Sequence, residues 1–168
     1  IIFFTQTRSL DVFYQIFLRL NKKVNFNKVG FYVSGYNHYE KFLINHPEFE
    51  SKFEIVKEWE IYKEAKNCIP DLDKIALYEK EIGDPNLWTP IVTDRRLYMG
   101  KKSKIHQDYK PFFSHHEQLS ILQKSLEKID KLFDDINPDV VFTLYTATFG
   151  DCLAHMFAKS RKCKSLDI

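Results

Sequence analysis

His38 is the side chain in this sequence best suited to moving a proton, because an imidazole titrates near neutral pH. It follows the β-prone stretch 29–34 and the turn signal Gly35-Tyr36-Asn37. In a parallel α/β sheet, ligands bind at the carboxyl ends of the strands, where helix N-termini converge. That makes His38 the candidate catalytic base. Three strand-end loops share this position: Thr5-Gln6-Thr7-Arg8-Ser9, Ser34-Gly35-Tyr36-Asn37-His38 and Tyr145-Thr146-Ala147-Thr148. Their hydroxyl, amide and guanidinium groups make Thr7, Arg8, Asn37, Thr146 and Thr148 the candidate substrate-binding residues. Arg8 has the fork that matches a phosphate or carboxylate. Ser9 and Thr148 also occupy positions where ordinary helix caps occur, and capping is the first expectation for both.

Other constellations carry less chemistry. Asp151, His155 and Lys159 lie one helical turn apart and read as a solvated or structural pairing. Cys152, His155 and Cys163 lack a fourth ligand at any zinc spacing, so no metal site is expected. Lys101, Lys102, Lys104 and Lys110 read as a solvated loop, with contact to an anionic group as the second reading. Tyr36, Tyr39, Trp59, Tyr62 and Trp88 fall at strand ends or in the irregular middle, where aromatic faces stack on sugars or on a partner domain.

The elements that must position these residues are read from periodicity. Residues 1–4 form a continuous apolar run, as in strands buried on both faces. Leu10, Phe13, Tyr14, Phe17 and Leu18 follow at helical spacing, and Val12 and Ile16 extend the apolar surface toward a second covering layer. Strand 29–34, a helix over 38–51 interrupted near Pro47, and strand 53–59 come next. The order β-α-β-α-β signals an α/β domain with a parallel sheet. A helix is expected over 71–82, a turn at Gly83-Asp84-Pro85-Asn86, and a second helix within 87–99. Ser114 and Glu117 fit a capping box at the head of a long helix that Asn137-Pro138 ends. Leu119, Leu122, Leu126, Ile129, Phe133 and Ile136 mark its core face. Strand 140–145, a further helix and the start of a strand at 165–168 complete the order. The expected fold is a three-layer, Rossmann-like α/β domain with a mostly parallel sheet and helices on both faces.

Composition narrows the function classes. The 168 residues make one domain, and 44% hydrophobic with 29% charged residues is a globular balance. No apolar run approaches the ~20 residues that span a bilayer. The 25 basic and 23 acidic residues nearly cancel, so a sequence-independent grip on nucleic acid is not expected. Three cysteines at unrelated spacings suit free thiols and a cytoplasmic setting. With five glycines there is neither a G-x-x-x-x-G-K-[ST] loop nor a G-x-G-x-x-G turn, which argues against a P-loop nucleotidase and a dinucleotide-binding domain.

The stretch Tyr78-Glu79-x-x-Ile82-Gly83-x-Pro85-Asn86-Leu87-Trp88, followed by Asp94-Arg95, resembles the N-terminal half of bacterial surface or capsular polysaccharide biosynthesis proteins. Ile136-Asn137-Pro138-Asp139-Val140-Val141 fits the same picture. Those proteins resemble GT-B type glycosyltransferases, in which two Rossmann-like domains face each other across a cleft. The resemblance implies that residues 1–168 are the N-terminal, acceptor-side domain of a longer chain, an expectation that the start on Ile1 and the end at a strand threshold also suggest. It implies a carbohydrate acceptor, a C-terminal domain as partner and peripheral association with the membrane. It implies no cofactor bound by this domain, the nucleotide-sugar donor being held in the full-length protein. Asp94 and Arg95 are expected to form a structural ion pair. The alternatives are a non-catalytic α/β binding or regulatory module, and part of a sugar-nucleotide epimerase of similar architecture. A receiver-type regulatory module would need clustered acids at the strand ends, where the sequence order shows Thr5, Ser34 and Tyr145 instead.

Overall fold

The computed structural model describes residues 1–6, 8–99, 112–144 and 148–168. Strand β1 (Ile2–Thr5) leads through helix α1 (Leu10–Asn21) to β2 (Gly30–Val33). Helices α2 (Tyr36–Asn45) and α3 (Phe49–Lys52) precede β3 (Glu54–Lys57), and α4 (Glu58–Ala65) starts without a connecting residue. Then come α5 (Leu72–Ile82), α6 (Thr89–Thr93), α7 (Arg95–Tyr98) and the long α8 (His115–Ile136). Strand β4 (Val140–Thr143), helix α9 (Phe149–Ser160) and strand β5 (Lys164–Asp167) close the chain.

The five strands pair in parallel in the order β3-β2-β1-β4-β5. Alternation of side chains along each strand builds two cores, one on each face. Phe3, Phe31 and Val33 pack under α1, α2 and α3 in an aromatic layer with Phe13, Tyr14, Phe42 and Phe49. Ile2, Phe4, Tyr32 and Val141 point the other way, against α4 to α9. The three-layer Rossmann-like expectation therefore holds.

Several elements follow their sequence signals. The Ser114–Glu117 capping box forms, and Asn137 ends α8 in the left-handed conformation at φ 47°. Leu122, Leu126, Ile129, Phe133 and Ile136 are buried, so the apolar seam of α8 is a core face. Other elements differ. The outward extension of α1 is covered in part: Ile16 packs against the aromatic layer, and Val12 is 53% exposed. The single helix expected within 87–99 is two short ones broken at Asp94, whose carboxylate accepts from the Arg96 amide and caps α7. The strand expected over 53–59 stops at Lys57, and Trp59 stands in a helix.

Candidate functional site

At the carboxyl ends of β2 and β3 the chain leaves a cleft of about 300 Å³, at the lower end of ligand pockets. Gly35, at φ 92°, makes the left-handed turn out of β2 that lets α2 begin at Tyr36. Glu58 is the first residue of α4, where the positive end of the helix dipole favours a carboxylate. Tyr36 and Trp59 meet edge to face at 5.5 Å on one side. Tyr62 and Phe113 pack at 5.7 Å on the other, and Phe112, 67% exposed, lies at the mouth.

The cleft floor is ionic. Glu58 is 4% exposed and receives both Arg96 amino groups, at 3.2 and 3.3 Å. The same guanidinium forks onto Asp94, with Nη2–Oδ2 at 2.6 Å and Nε–Oδ1 at 3.0 Å. One cation thus serves two buried carboxylates, and the shares are unequal. Burial disfavours the Asp94 charge, yet the Arg96 bonds and charge and the Phe149 amide hold its carboxyl below the ordinary range. Glu58 is left with the deficit. Burial pushes its carboxyl above the ordinary range, Arg96 offsets this in part, and the Asp94 charge adds to it. The Tyr62 hydroxyl is buried beside Glu58, and burial together with that carboxylate raises its proton affinity well above the ordinary range. A carboxyl with raised proton affinity beneath aromatic walls makes a site able to hold a polyhydroxylated ring and handle its proton.

The switch point between β1 and β4, where such sheets often take nucleotides, is occupied by the protein itself. Thr148 caps α9 by accepting from the Asp151 amide, and its hydroxyl donates to Asp151 Oδ2 at 2.7 Å. Gln6 donates to the same oxygen at 2.7 Å. The Phe149 amide goes to Asp94 at 3.0 Å. The ring of Tyr32 presses on the helix start so closely that a Cβ on Gly150 would stand 2.7 Å from its Cε1. The amides of Phe149 and Asp151, which a phosphate would use, are committed to Asp94 and Thr148.

The residues singled out by sequence separate on folding. Thr148 caps α9, as expected. Ser9 does not cap α1; its hydroxyl donates to the Gln6 carbonyl and accepts from the Gln6 amide, closing the loop after β1. Arg8 is exposed in that loop, and Asn37 is exposed in the first turn of α2. His38 Nε2 lies 2.7 Å from Asp11 Oδ2, a half-buried pair linking α2 to α1. Arg8, Asn37, His38 and Thr148 do not line the Glu58 cleft. Thr7, Thr146 and the lysines of the 100–111 segment lie outside the described residues.

Two expected pairings differ. Asp94 pairs with Arg96 rather than Arg95. Asp151 turns to Gln6 and Thr148, while His155 lies 3.1 Å from Asp167 and 2.9 Å from the Ser165 hydroxyl. The strand ends are also richer in acids than the sequence order suggests, through Glu58, Asp94 and Asp151. Among the described residues no three His, Cys, Asp or Glu side chains converge as a metal site requires. No described helix is long and apolar enough to cross a membrane, and the three cysteines are free.

Glu58 and Arg96 are the site residues that sequence reasoning missed. The spacing Glu58, Ile61, Tyr62, Ala65 is a helical signal, but the alternation of Phe53, Ile55, Lys57, Trp59 and Ile61 masks it with a strand-like period. Comparison with protein-family models, curated proteins and solved structures found no match to this chain.

Proposed function

We propose that the chain is the acceptor-side domain of a glycosyltransferase acting in surface polysaccharide assembly, with the acceptor sugar lying in the Glu58 cleft. The observation that carries this reading is one cleft, at the carboxyl ends of β2 and β3, that joins aromatic walls to a buried carboxyl. A pyranose has an apolar C–H face and a rim of hydroxyls. Tyr36, Trp59 and Tyr62 complement the face, and Glu58 accepts from a hydroxyl. The occupied switch point fits the same division of labour, since the nucleotide-sugar donor then belongs to a partner domain. In the reaction the acceptor oxygen bonds to the anomeric carbon and its proton passes to Glu58. The bond from that carbon to the nucleotide breaks, and the nucleotide leaves with the electron pair. Burial raises the Glu58 proton affinity above the ordinary carboxyl range, the direction a general base needs.

The bidentate Arg96 contact favours a second reading, a non-catalytic carbohydrate-binding module in which Glu58 only orients hydroxyls. The two separate in one comparison. In a turnover assay with the donor-binding domain present, Glu58→Gln is expected to retain acceptor binding and to lose about 10²-fold or more in rate. His38→Ala is expected to stay within a few-fold of the parent. Loss of turnover on His38→Ala with survival on Glu58→Gln returns the base role to His38. Absence of turnover with every nucleotide sugar, alongside saturable glycoside binding, supports the module.

A further inference from the structure

Lys63 and Lys66 line the same cleft, one turn apart near the end of α4. A lysine in the last turn of a helix complements the dipole, but that does not explain why both border an aromatic cleft without a counter-charge. The carboxylates around them are committed elsewhere. Glu58 is held by Arg96, Glu60 approaches Lys57 at 3.8 Å, and Glu64 pairs with Lys128 at 2.9 Å. Glu117, whose charge reaches Lys66, is spent on the Ser114 capping box. Among the described residues neither lysine has an ion-pair partner. Arg96 adds a further donor. Its Nε and Nη2 hydrogens go to Asp94 and Glu58, while Nη1 bonds Glu58 alone. A guanidinium carries five N–H groups, so one on Nη1 is left over, on a side chain 33% exposed.

We infer that the cleft selects a saccharide bearing an anionic substituent, a uronate carboxylate or a sugar phosphate, with its ring on Tyr36, Trp59 and Tyr62 and its anion at Lys63 and Lys66. The inference rests on the reading that this cleft takes a sugar, and it adds the charge class. Among the described residues the rim has two lysines with no carboxylate partner, and the aromatic walls bring no charge of their own to meet an anion. A neutral glycoside would leave both lysines as they are in the free protein. An anionic one gains two charge contacts that remain partly hydrated, where the desolvation cost is small.

The test is titration calorimetry on the whole chain with methyl glucoside, methyl glucuronide, glucose 6-phosphate and inorganic phosphate. The anionic sugars are expected to bind about tenfold more tightly than methyl glucoside, the sum of two exposed charge contacts. That advantage should shrink in high salt. It should vanish in Lys63→Gln/Lys66→Gln, with the affinity for methyl glucoside unchanged. Both lysines are exposed, so the double variant keeps its fold. Whichever of the uronide and the phosphate loses more in that variant is the anion the rim prefers. Equal binding of methyl glucoside and its uronide overturns the charge class and leaves the sugar site standing. Free phosphate binding as tightly as the sugar phosphate overturns the link between rim and aromatic walls. Failure of every sugar to bind removes the sugar site itself, and the inference with it.

Discussion

Glu58 and Asp151 are both carboxylates near strand ends, 4% and 2% exposed, and burial raises the proton affinity of both. Their surroundings divide them. Asp151 accepts from Gln6 and Thr148, neutral donors that close the loop after β1 and the start of α9. Glu58 shares one guanidinium with Asp94 and lies 3.5 Å from the buried Tyr32 hydroxyl, beneath the aromatic walls of an open cleft. Depth and proton affinity therefore do not distinguish a site from a scaffold. The distinction lies on the open side: Asp151 is bound by groups that finish a helix cap, and Glu58 borders a cleft that the described residues leave open. Asp94 joins the two regions, holding Arg96 at the cleft and the Phe149 amide at the head of α9.

The largest effect should come from the shared cation. Arg96→Met leaves Glu58 and Asp94 buried without a counter-charge, and breaking such a pair costs about 3 kcal/mol. For a chain of this size that lowers Tm by roughly 10 °C. Asp151→Asn removes a charge whose partners are neutral and should cost about 1 kcal/mol. Thermal melts of the two variants side by side check the contrast, and equal losses would break it. Next in size is Gly150→Ala. Its added methyl meets the Tyr32 ring, a buried group with little room to move, at an expected cost of about 2 kcal/mol. A neutral outcome would mean that the start of α9 is looser than the Glu58 cleft, which reverses the comparison at the switch point.

The division between scaffold and site also separates what was legible in the sequence from what was not. The sheet was legible because residues 1–4 and 140–142 are continuous apolar runs, the mark of parallel strands buried on both faces. Helix α8 was legible down to its Ser114–Glu117 box, a local rule satisfied within four residues. Thr148 was legible as a cap for the same reason. The Glu58 cluster was not. Its ion pair spans 38 positions to Arg96, and nothing local distinguishes Arg96 from Arg95, since the choice depends on how Asp94 breaks the helix between α6 and α7. The helix at Glu58 was hidden because its residues also satisfy a period of two, and only packing against α8 decides between the two periods. The aromatic walls were half legible: Tyr36, Trp59 and Tyr62 were visible as candidates for stacking, but not the acid beneath them.

The smallest expected effect is a change of slope, and it bears on the comparison most directly. Glu58 and Asp151 both have folded-state proton affinities above their ordinary values of 4.5 and 3.8. Between the ordinary and the folded value the native state holds more protons than the unfolded chain. Their contribution to stability is therefore complete below the ordinary value and is lost as pH rises through the folded one. Asp94 runs the other way: its lowered value gives stability above 3.8 that is lost as the pH falls. Urea unfolding across this range should show the decline above pH 4.5 flattened in Glu58→Gln, and the decline above 3.8 flattened in Asp151→Asn. A saturating sugar should then divide the two. A ligand hydroxyl donating to Glu58 stabilises its charged form and moves its window toward lower pH, while the Asp151 window, closed off by Gln6 and Thr148, stays where it is. A sugar that moves both windows equally would mean that the cleft and the switch point are one site.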